Sequence, residues 1–392
     1  MAPPLTPPPL PPIAPTMHPA PHQPDQHRLA QIAQARLALR NNGVLATDAP
    51  LEPWLRRSWQ RCLAQGQTPG QRVVFNHVSA HAVSQALEHS RALLAAAEPV
   101  IHSLARAMAD TRYFAILTNA QGVVINVHGP IDRHDPHAAL IARVGLDLSE
   151  QAVGTTAIGA TLAEQQPVWL HRGEHFFDDT SVYSCAGAPL FGPDGQCIGM
   201  LDLTGVHVPE RRALKHLVTQ SARSIENALT LAQPHQLLLR VNWPGRVLGE
   251  DSDGLVCVDA NGHITGTNRA AADMLNLVSL HPPVHCSEVF AVPTDSLFDA
   301  ARAQRSATEL PLWSGLRLQV LVQGSAGGQG GHGATGQRHA AAGHGVPLKD
   351  VETALIRKAV EEARGNVMEA ARALGISRAT VYRKLGKPRS AG

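Results

Sequence analysis

The sequence predicts an α+β protein of several domains, and three observations lead to this prediction. The length of 392 residues suits two or three domains, and a hydrophobic fraction of 44% is enough to build buried cores. Stretches with helical spacing of apolar residues alternate with short apolar runs joined by turn residues, which is typical of antiparallel sheets flanked by helices. Aromatic residues make up only 4%, which argues against an aromatic-rich carbohydrate-binding surface.

The first part of the chain is predicted to be an arm followed by helices. Residues 1–26 are predicted to be a disordered, Pro-rich arm, because proline fixes φ and removes a backbone donor. Residues 27–110 are predicted to form helices that lead into the first sheet domain. Within them, Ser79 is the predicted N-cap of a long helical pattern, and Pro99 is predicted to kink that pattern or divide it into two helices.

Residues 111–233 are predicted to form the first sheet domain. A turn rich in Asn and Gly separates the apolar runs at 113–118 and 123–128, which predicts a β-hairpin. The turn Gly-Pro-Asp-Gly at 192–195 joins two further predicted strands. An amphipathic helix is predicted over 209–231.

Residues 245–323 repeat this pattern on a smaller scale. Strands are predicted at 254–259, 263–267 and 316–322, with a helix after the second of them, and residues 278–296 show no clear period. Residues 324–346 are rich in Gly, Ser, Gln and Ala, and a flexible linker is predicted there because no core can be built from this composition.

The last part of the chain, residues 347–388, is predicted to be an all-α helix-turn-helix domain. A helix over 350–363 is followed by a short helix over 367–374, and a tight glycine turn leads into a third helix that ends at 385. Ser377 is the predicted N-cap of that third helix. These parts are typical of the motif that places its second helix in the major groove of DNA.

The charge distribution also favours DNA binding. The whole chain has a formal net charge of +2, but residues 347–392 contain ten basic and five acidic residues. Arginine can bind a guanine edge with two hydrogen bonds, whereas lysine and serine mostly contact phosphate. A solvated helical hairpin with a basic tail is the alternative. The predicted DNA-binding residues are Ser377, Arg378, Ala379, Thr380, Tyr382, Arg383 and Lys384.

These residues carry a specific family resemblance. The segments Ala-Ala-Arg-Ala-Leu-Gly-Ile-Ser-Arg at 370–378 and Thr-Val-Tyr-Arg-Lys-Leu at 380–385 resemble the Fis-type DNA-binding domain. That domain ends the sigma-54-dependent enhancer-binding activators. The resemblance implies a homodimer that binds a near-palindromic site in double-stranded DNA.

The N-terminal half resembles acetoin-catabolism-type regulators of the same group. The segments are Trp-Leu-Arg-Arg-Ser-Trp-Gln-Arg-Cys at 54–62, Leu-Ser-Glu-Gln-Ala-Val-Gly-Thr-Thr-Ala-Ile-Gly at 148–159, and Gly-Met-Leu-Asp-Leu-Thr-Gly at 199–205. The resemblance implies a GAF-type antiparallel sheet with flanking helices for 111–233. Residues 254–277 resemble the start of a PAS domain, which implies a smaller PAS-like domain over 245–323.

The resemblance also implies a small-molecule effector, whose identity stays open because Leu148 and Thr156 depart from the family pattern. A ligand pocket in such a sensor is mostly apolar with a few placed polar groups. For each candidate, a place in the core or at the surface is the alternative. The predicted effector-binding residues are Trp169, His175, Phe176, Tyr183 and Cys185.

Relatives of this type place an AAA+ ATPase between the sensor and the DNA-binding domain, where this chain has the Gly-rich segment. Residues 331–336 have the glycine spacing of a P-loop, but Gln337 and Arg338 replace the Lys and Ser/Thr that phosphate binding requires. We therefore predict a regulator without its own ATPase. RNA polymerase or a related activator would be its protein partner.

The sequence shows no signal for a cofactor, a zinc site or a membrane-spanning segment. No cofactor is predicted, and no His spacing matches a rigid zinc site. The five cysteines include no CxxC pair, and no apolar stretch is long enough to span a membrane, so a cytoplasmic, nucleoid-associated bacterial protein is predicted.

The leading prediction is a transcriptional regulator that is not an enzyme, and two alternatives stay open. The chain could act as a partner of a full-length sigma-54 activator. It could also be a GAF-type thiol enzyme, such as a free methionine sulfoxide reductase. That enzyme needs a reactive cysteine at the pocket, and Cys185 and Cys197 are the candidates, although their spacing does not resemble that family.

Overall fold

The structure, a computed structural model, describes residues 23–42, 45, 51–304, 306–325 and 368. Most of the predicted Pro-rich arm and nearly all of the predicted linker lie outside these residues. The predicted helix-turn-helix domain also lies outside them, apart from Met368. Within the part that is described, the chain is a mixture of helices and antiparallel sheets, as the sequence predicts.

Four helices precede the first sheet: α1 (Gln23–Asn42), α2 (Pro53–Ala64), α3 (Ala80–His89) and α4 (Arg91–Ala107). The predicted N-cap is confirmed, because the Ser79 hydroxyl accepts a hydrogen bond of 3.2 Å from the backbone amide of Ala82. This bond satisfies one of the amides that the first turn of α3 leaves without a helical partner.

The predicted division into two helices at Pro99 is wrong, because the break between α3 and α4 falls at Ser90. Pro99 lies inside α4, which continues to Ala107. One face of α4 is buried against the sheet on both sides of the proline, through Leu93 and Ile101 among others. This packing holds the helix together despite the missing backbone hydrogen bond.

The first sheet has five antiparallel strands in the order β2-β1-β5-β4-β3. They are β1 (Tyr113–Asn119), β2 (Val124–His128), β3 (Val168–His171), β4 (Tyr183–Phe191) and β5 (Cys197–Val206). The two predicted hairpins are confirmed: β1 pairs with β2, and β4 pairs with β5.

Each face of this sheet is covered by helices, so the sheet has two cores. Three short helices, α5 (Pro136–Ile141), α6 (Glu150–Val153) and α7 (Ala157–Glu164), lie on one face together with α1 and α2. On the opposite face, α4 packs with the long helix α8 (Ala213–Leu231). Because successive side chains of a strand point to opposite faces, every strand contributes to both cores.

The second sheet also has five antiparallel strands, in the order β8-β7-β6-β10-β9. They are β6 (Leu237–Asn242), β7 (Gly254–Val258), β8 (Ile264–Thr267), β9 (Thr308–Pro311) and β10 (Arg317–Gly324). The sequence predicts three of them, and β6 and β9 are additions. Strand β6 is at the centre of the sheet, which explains why its residues are almost all buried.

One face of the second sheet is covered by α9 (Arg269–Leu275), α10 (Cys286–Val289) and α11 (Thr294–Arg302). The other face meets the C-terminal part of α8, where the Cys257 thiol donates to the carbonyl oxygen of Thr230 at 3.2 Å. Helix α8 therefore packs against both sheets.

No helix among the described residues is both long and apolar enough to cross a membrane.

Candidate functional site

Two of the segments that carry the family resemblance meet in the structure. Helix α2 lies against α6 and α7, and its Ser58 hydroxyl donates to the carboxylate of Glu150. Arg61 donates to Glu150 at 2.9 Å and to Glu164 at 2.8 Å. Trp59, on the same helix, is fully buried, and its indole N–H donates to the backbone carbonyl of Glu174 at 3.0 Å. These polar contacts fix the helices that cover one face of the first sheet.

Helix α1 contacts the turn that carries His175. The Arg36 guanidinium donates to the carbonyl oxygens of Gly173 and Phe176, both at 3.1 Å, and also to that of His175. It forms an ion pair with Asp178 as well. A single side chain of α1 therefore holds three carbonyl groups of this turn in place.

A cavity of about 30 Å³ lies between this face of the first sheet and the short helices, and we call it the sensor cavity. This volume has room for one or two water molecules. Most of its lining is apolar and comes from β1, α5, α6, α7 and the segments before α3 and α6. The apolar lining residues are Phe75, Ile116, Ile141, Leu148, Val153, Ala157 and Ile158.

Several polar side chains also line the sensor cavity. His175 is fully buried, and burial lowers its pKa to about 4, so its imidazole ring is neutral near pH 7. Its Nδ1 atom lies 2.9 Å from the carbonyl oxygen of Arg172, which can only accept, so Nδ1 holds the proton. The Nε2 atom is then an acceptor, and the Cys185 thiol, 3.5 Å away, donates to it.

Asp202 is the acidic residue of the sensor cavity. Its Oδ2 atom accepts a hydrogen bond from the Thr204 hydroxyl. Its Oδ1 atom is buried and has no hydrogen-bond partner among the described residues. Burial raises the pKa of Asp202 to about 7, and the hydrogen bond from Thr204 opposes this shift. A buried polar atom without a partner is uncommon and calls for an explanation.

Our sequence-based prediction of the site does not include Asp202, although the sequence contains a signal for it. The residue lies in the segment 199–205, which alternates between the two faces of β5. Met200 and Asp202 share one face, whereas Leu201 and Leu203 belong to the core on the other. A carboxylate inside an apolar strand is rarely buried without a role.

The structure brings three of the five predicted effector residues together. His175, Tyr183 and Cys185 line the sensor cavity. Trp169 does not, because it points to the opposite face of the sheet, where its indole N–H donates to Glu210 at 3.1 Å. Phe176 is fully buried in an edge-to-face contact with Trp59, with 6.4 Å between the ring centroids.

The Cys185 thiol lacks the environment of a reactive cysteine. Burial raises its pKa well above the ordinary value, and the negative charge of Asp202 acts in the same direction. The thiolate is the nucleophilic form, so this environment suppresses thiol chemistry. Among the described residues, no group of three or more His, Cys, Asp or Glu side chains could hold a metal ion. The predicted DNA-binding residues, Ser377 to Lys384, lie outside the described part of the chain.

Two family models match the chain. Residues 347–387 match the model described as a bacterial regulatory protein of the Fis family, and residues 29–227 match the model described as the N-terminal domain of MimR. The first match confirms the predicted resemblance of the C-terminal residues to the Fis family of bacterial regulatory proteins. The second match spans just over half of the chain, and the chain therefore belongs to the MimR N-terminal domain family.

Two relatives illustrate this membership. The acetoin catabolism regulatory protein of Cupriavidus necator is 28% identical over 258 residues, which cover 64% of this chain and 38% of that protein. The propane 2-monooxygenase operon transcriptional activator MimR of Mycolicibacterium goodii is 28% identical over 174 residues, which cover 44% of this chain and 28% of that protein. The chain thus spans well under half the length of these relatives.

A solved structure is also similar to the chain. The Escherichia coli complex of the DhaR N-terminal part with DhaL aligns with a TM-score of 0.43 and 16% identity. The alignment covers 69% of this chain and 99% of that one.

Proposed function

We propose that the protein is a transcriptional regulator that senses a small-molecule effector in the sensor cavity and binds DNA through its Fis-type helix-turn-helix. One observation carries the proposal: a chain whose residues 347–387 match the Fis family also has a largely apolar cavity with a buried, unpartnered carboxyl oxygen. Apolar pockets with a few placed polar groups are typical of small-molecule sites.

The proposed organisation follows the predicted boundaries. Residues 27–110 and 111–233 form a GAF-type sensor with its leading helices, and residues 245–323 form a PAS-like domain. Residues 324–346 are the linker to a DNA-binding domain at 347–388. The protein acts as a homodimer in the bacterial cytoplasm, at the nucleoid. Support comes from the family matches and from the two antiparallel sheets with their helices.

The proposed regulator has no ATPase of its own. Between the two family matches, residues 237–324 contain the five strands of the second sheet, and residues 331–338 lack the P-loop Lys and Ser/Thr. The chain would therefore act through RNA polymerase or through a full-length sigma-54 activator. Open-complex formation by sigma-54 polymerase, driven by this chain alone with ATP, would contradict the proposal.

DNA binding is tested by gel shift with promoter DNA that flanks the protein's own gene. The wild type should bind a specific site, and Arg378→Ala/Arg383→Ala should lose it. The loss of two base-contacting arginines should cost about 1–3 kcal/mol each and relax sequence preference.

The matched control is Arg91→Ala/Arg302→Ala, which removes the same charge. Both arginines are exposed, and each pairs with an acidic residue of its own neighbourhood, Glu88 and Asp299 respectively. This control should bind DNA like the wild type. If the wild type binds no site specifically, the protein acts as a sensor through a protein partner, and the DNA-binding proposal is wrong.

A further inference from the structure

One buried oxygen atom of the sensor cavity lacks a hydrogen-bond partner. Within the described part of the chain, Asp202 is the residue that both lines this cavity and has a buried side-chain oxygen without a hydrogen bond. The residue is only 1% exposed, so bulk water does not reach it freely. The strand order fixes its position, because Asp202 pairs with Ile116 of β1 on one side and with Gly187 of β4 on the other.

The other polar side chains of the cavity already have partners. The Tyr183 hydroxyl donates to the carbonyl oxygen of His137 at 3.1 Å, and the Thr180 hydroxyl donates to that of Phe177 at 3.0 Å. The two ring nitrogens of His175 are occupied as described above. Asp202 Oδ1 is thus the buried side-chain oxygen of this lining that has no hydrogen-bond partner among the described residues.

We propose that Asp202 fixes the effector by one hydrogen bond to a hydroxyl group, and that it excludes anionic effectors from the sensor cavity. The proposal rests on the sensing function proposed above. A hydroxyl group both donates and accepts, so it is the smallest group that complements a carboxyl in either protonation state.

The charges around Asp202 exclude an acid. No Lys or Arg side chain lines the sensor cavity, so nothing would compensate a carboxylate ligand placed beside Asp202. Like charges at short range in a buried site repel strongly. The apolar lining, in turn, favours a short hydrocarbon body on the ligand.

The small volume of the cavity limits the size of the ligand and means that binding must move part of the protein. At about 30 Å³ the cavity has room for little more than the hydroxyl group itself, so a ligand with a carbon skeleton must move the lining apart. The lining includes Ala157 and Ile158 of α7, a helix that Glu164 ties to α2. Binding at Asp202 therefore displaces an element that is itself anchored to the N-terminal helices.

The test uses three probes with one carbon skeleton: 1-butanol, butyrate and butylammonium. Their binding to the full-length protein is measured by ligand-observed NMR titration. The variants are Asp202→Leu, which removes the polar group, and Asp202→Asn, which keeps a hydrogen-bonding group and no charge. Asp110→Leu, the same substitution at an exposed position, is the control.

We expect 1-butanol to bind the wild type, Asp110→Leu and Asp202→Asn with affinities within about threefold, and Asp202→Leu about tenfold more weakly. Butyrate should not bind the wild type or Asp110→Leu measurably, because both keep the Asp202 carboxyl group. The comparison of 1-butanol with butyrate is made on the wild-type protein alone. The proposal can therefore be tested even if Asp202→Leu does not fold.

Three results would overturn the proposal. They are equal 1-butanol affinities for wild type and Asp202→Leu, butyrate affinity equal to that of 1-butanol, and tighter binding of butylammonium, which would make the cavity a cation site. Absence of 1-butanol binding to the wild type would also overturn it. The gel shift is independent of these results, so failure at Asp202 is distinguishable from failure of the DNA-binding proposal.

Discussion

Asp202 shows at the scale of one residue how a buried carboxyl group opposes stability. The pKa of Asp202 is raised in the folded protein from its ordinary value of 3.8. The folded protein therefore holds the carboxyl proton more tightly than the unfolded chain does. Wherever the native state binds more protons, stability falls as the pH rises. The ionised form of Asp202 therefore destabilises the folded protein above pH 7.

Asp202→Asn should stabilise the protein at alkaline pH. The folded-state pKa of about 7, compared with 3.8 for the unfolded chain, corresponds to a gain of up to about 4 kcal/mol for the neutral amide. The gain should be near zero at pH 4 and should develop mostly between pH 4 and pH 7. Urea denaturation of both proteins at several pH values measures it.

The comparison with the wild type is essential, because other groups titrate in the same range. Burial lowers the pKa of His175 to about 4, so this residue makes stability rise with pH up to its unfolded value near 6.5. That slope is common to both proteins and cancels in the difference. A difference that does not change with pH would show that Asp202 is not the titrating group.

The predicted effector residues show what sequence can and cannot provide at this scale. Of the aromatic and polar residues predicted near the resemblance segments, His175, Tyr183 and Cys185 line one cavity. Side chains along β3 alternate between the two faces of the sheet. Val168 and Leu170 therefore face the core on the side of the cavity, and Trp169 faces the opposite core. The face of the sheet to which a side chain points depends on the register of its strand, and the sequence of one strand alone does not determine that register.

At the scale of the element, α1 is held by apolar side chains and by its arginines. Its buried apolar residues are Ile32, Ala35 and Leu39. Arg36, in contrast, donates to three backbone carbonyls of the turn around His175. The helix and the turn should therefore order or loosen together.

Arg36→Ala should loosen α1 and this turn at once. Hydrogen bonds from a charged donor contribute about 1.5–3 kcal/mol, and the substitution also leaves carbonyl oxygens without their partner. We expect faster amide hydrogen exchange over residues 23–42 and 172–178, with little change in the second sheet.

Arg40→Ala is the matched control for this prediction. Arg40 also pairs with Asp178, but its side chain is about half exposed, and exposed pairs contribute little. Its exchange pattern should resemble that of the wild type. Equal effects of the two substitutions would show that the ion pair with Asp178, and not the backbone contacts, holds the helix.

The elements that the sequence predicts are those with strong local signals. The hairpin of β1 and β2 has its turn residues, and α8 has a long apolar stripe. Strand β6 was missed because it follows α8 after only a few residues, so its apolar run resembles the end of the helix. A short apolar run does not distinguish a strand from a buried helix segment.

At the scale of the whole described chain, the two sheets are joined through α8 by buried polar contacts. The Asn268 side chain donates to Asn227 of α8 at 2.7 Å and to the carbonyl oxygen of Asp253 at 2.8 Å. It also accepts from the backbone amides of Leu255 and Ala271, both at 2.9 Å. A fully satisfied amide in this position makes the contact between helix and sheet specific.

A double-mutant cycle should detect this connection. Asn227→Ala and Asn268→Ala each destabilise the protein, and their effects should fall short of additivity by about 0.5–3 kcal/mol. The pair Asn227→Ala and Asn242→Ala is the control, because the Asn242 amide donates to Asp253 at 3.1 Å and makes no bond to Asn227. Strict additivity for the first pair would mean that the hydrogen bond between Asn227 and Asn268 does not couple α8 to the second sheet.

The linker predicted at 324–346 leads to a further expectation. Gly-rich sequences transmit torque poorly, so the proposed coupling between effector and DNA binding acts through dimerisation or effective concentration. Insertion of extra Gly and Ser residues after Gly336 should change induction of a reporter gene little. Abolished induction with DNA binding intact would disprove loose coupling.

The position of α8 has a practical consequence for exchanging modules among relatives. The match to the MimR N-terminal domain ends at residue 227, inside this helix. Asn227 bonds to Asp251 and Asn268, which flank β7, and Thr230 bonds to Cys257 of β7. A graft that ends there would cut this helix and lose the contact between Thr230 and Cys257. Chimaeric regulators built from this chain should instead keep both sheets intact and place the junction beyond β10.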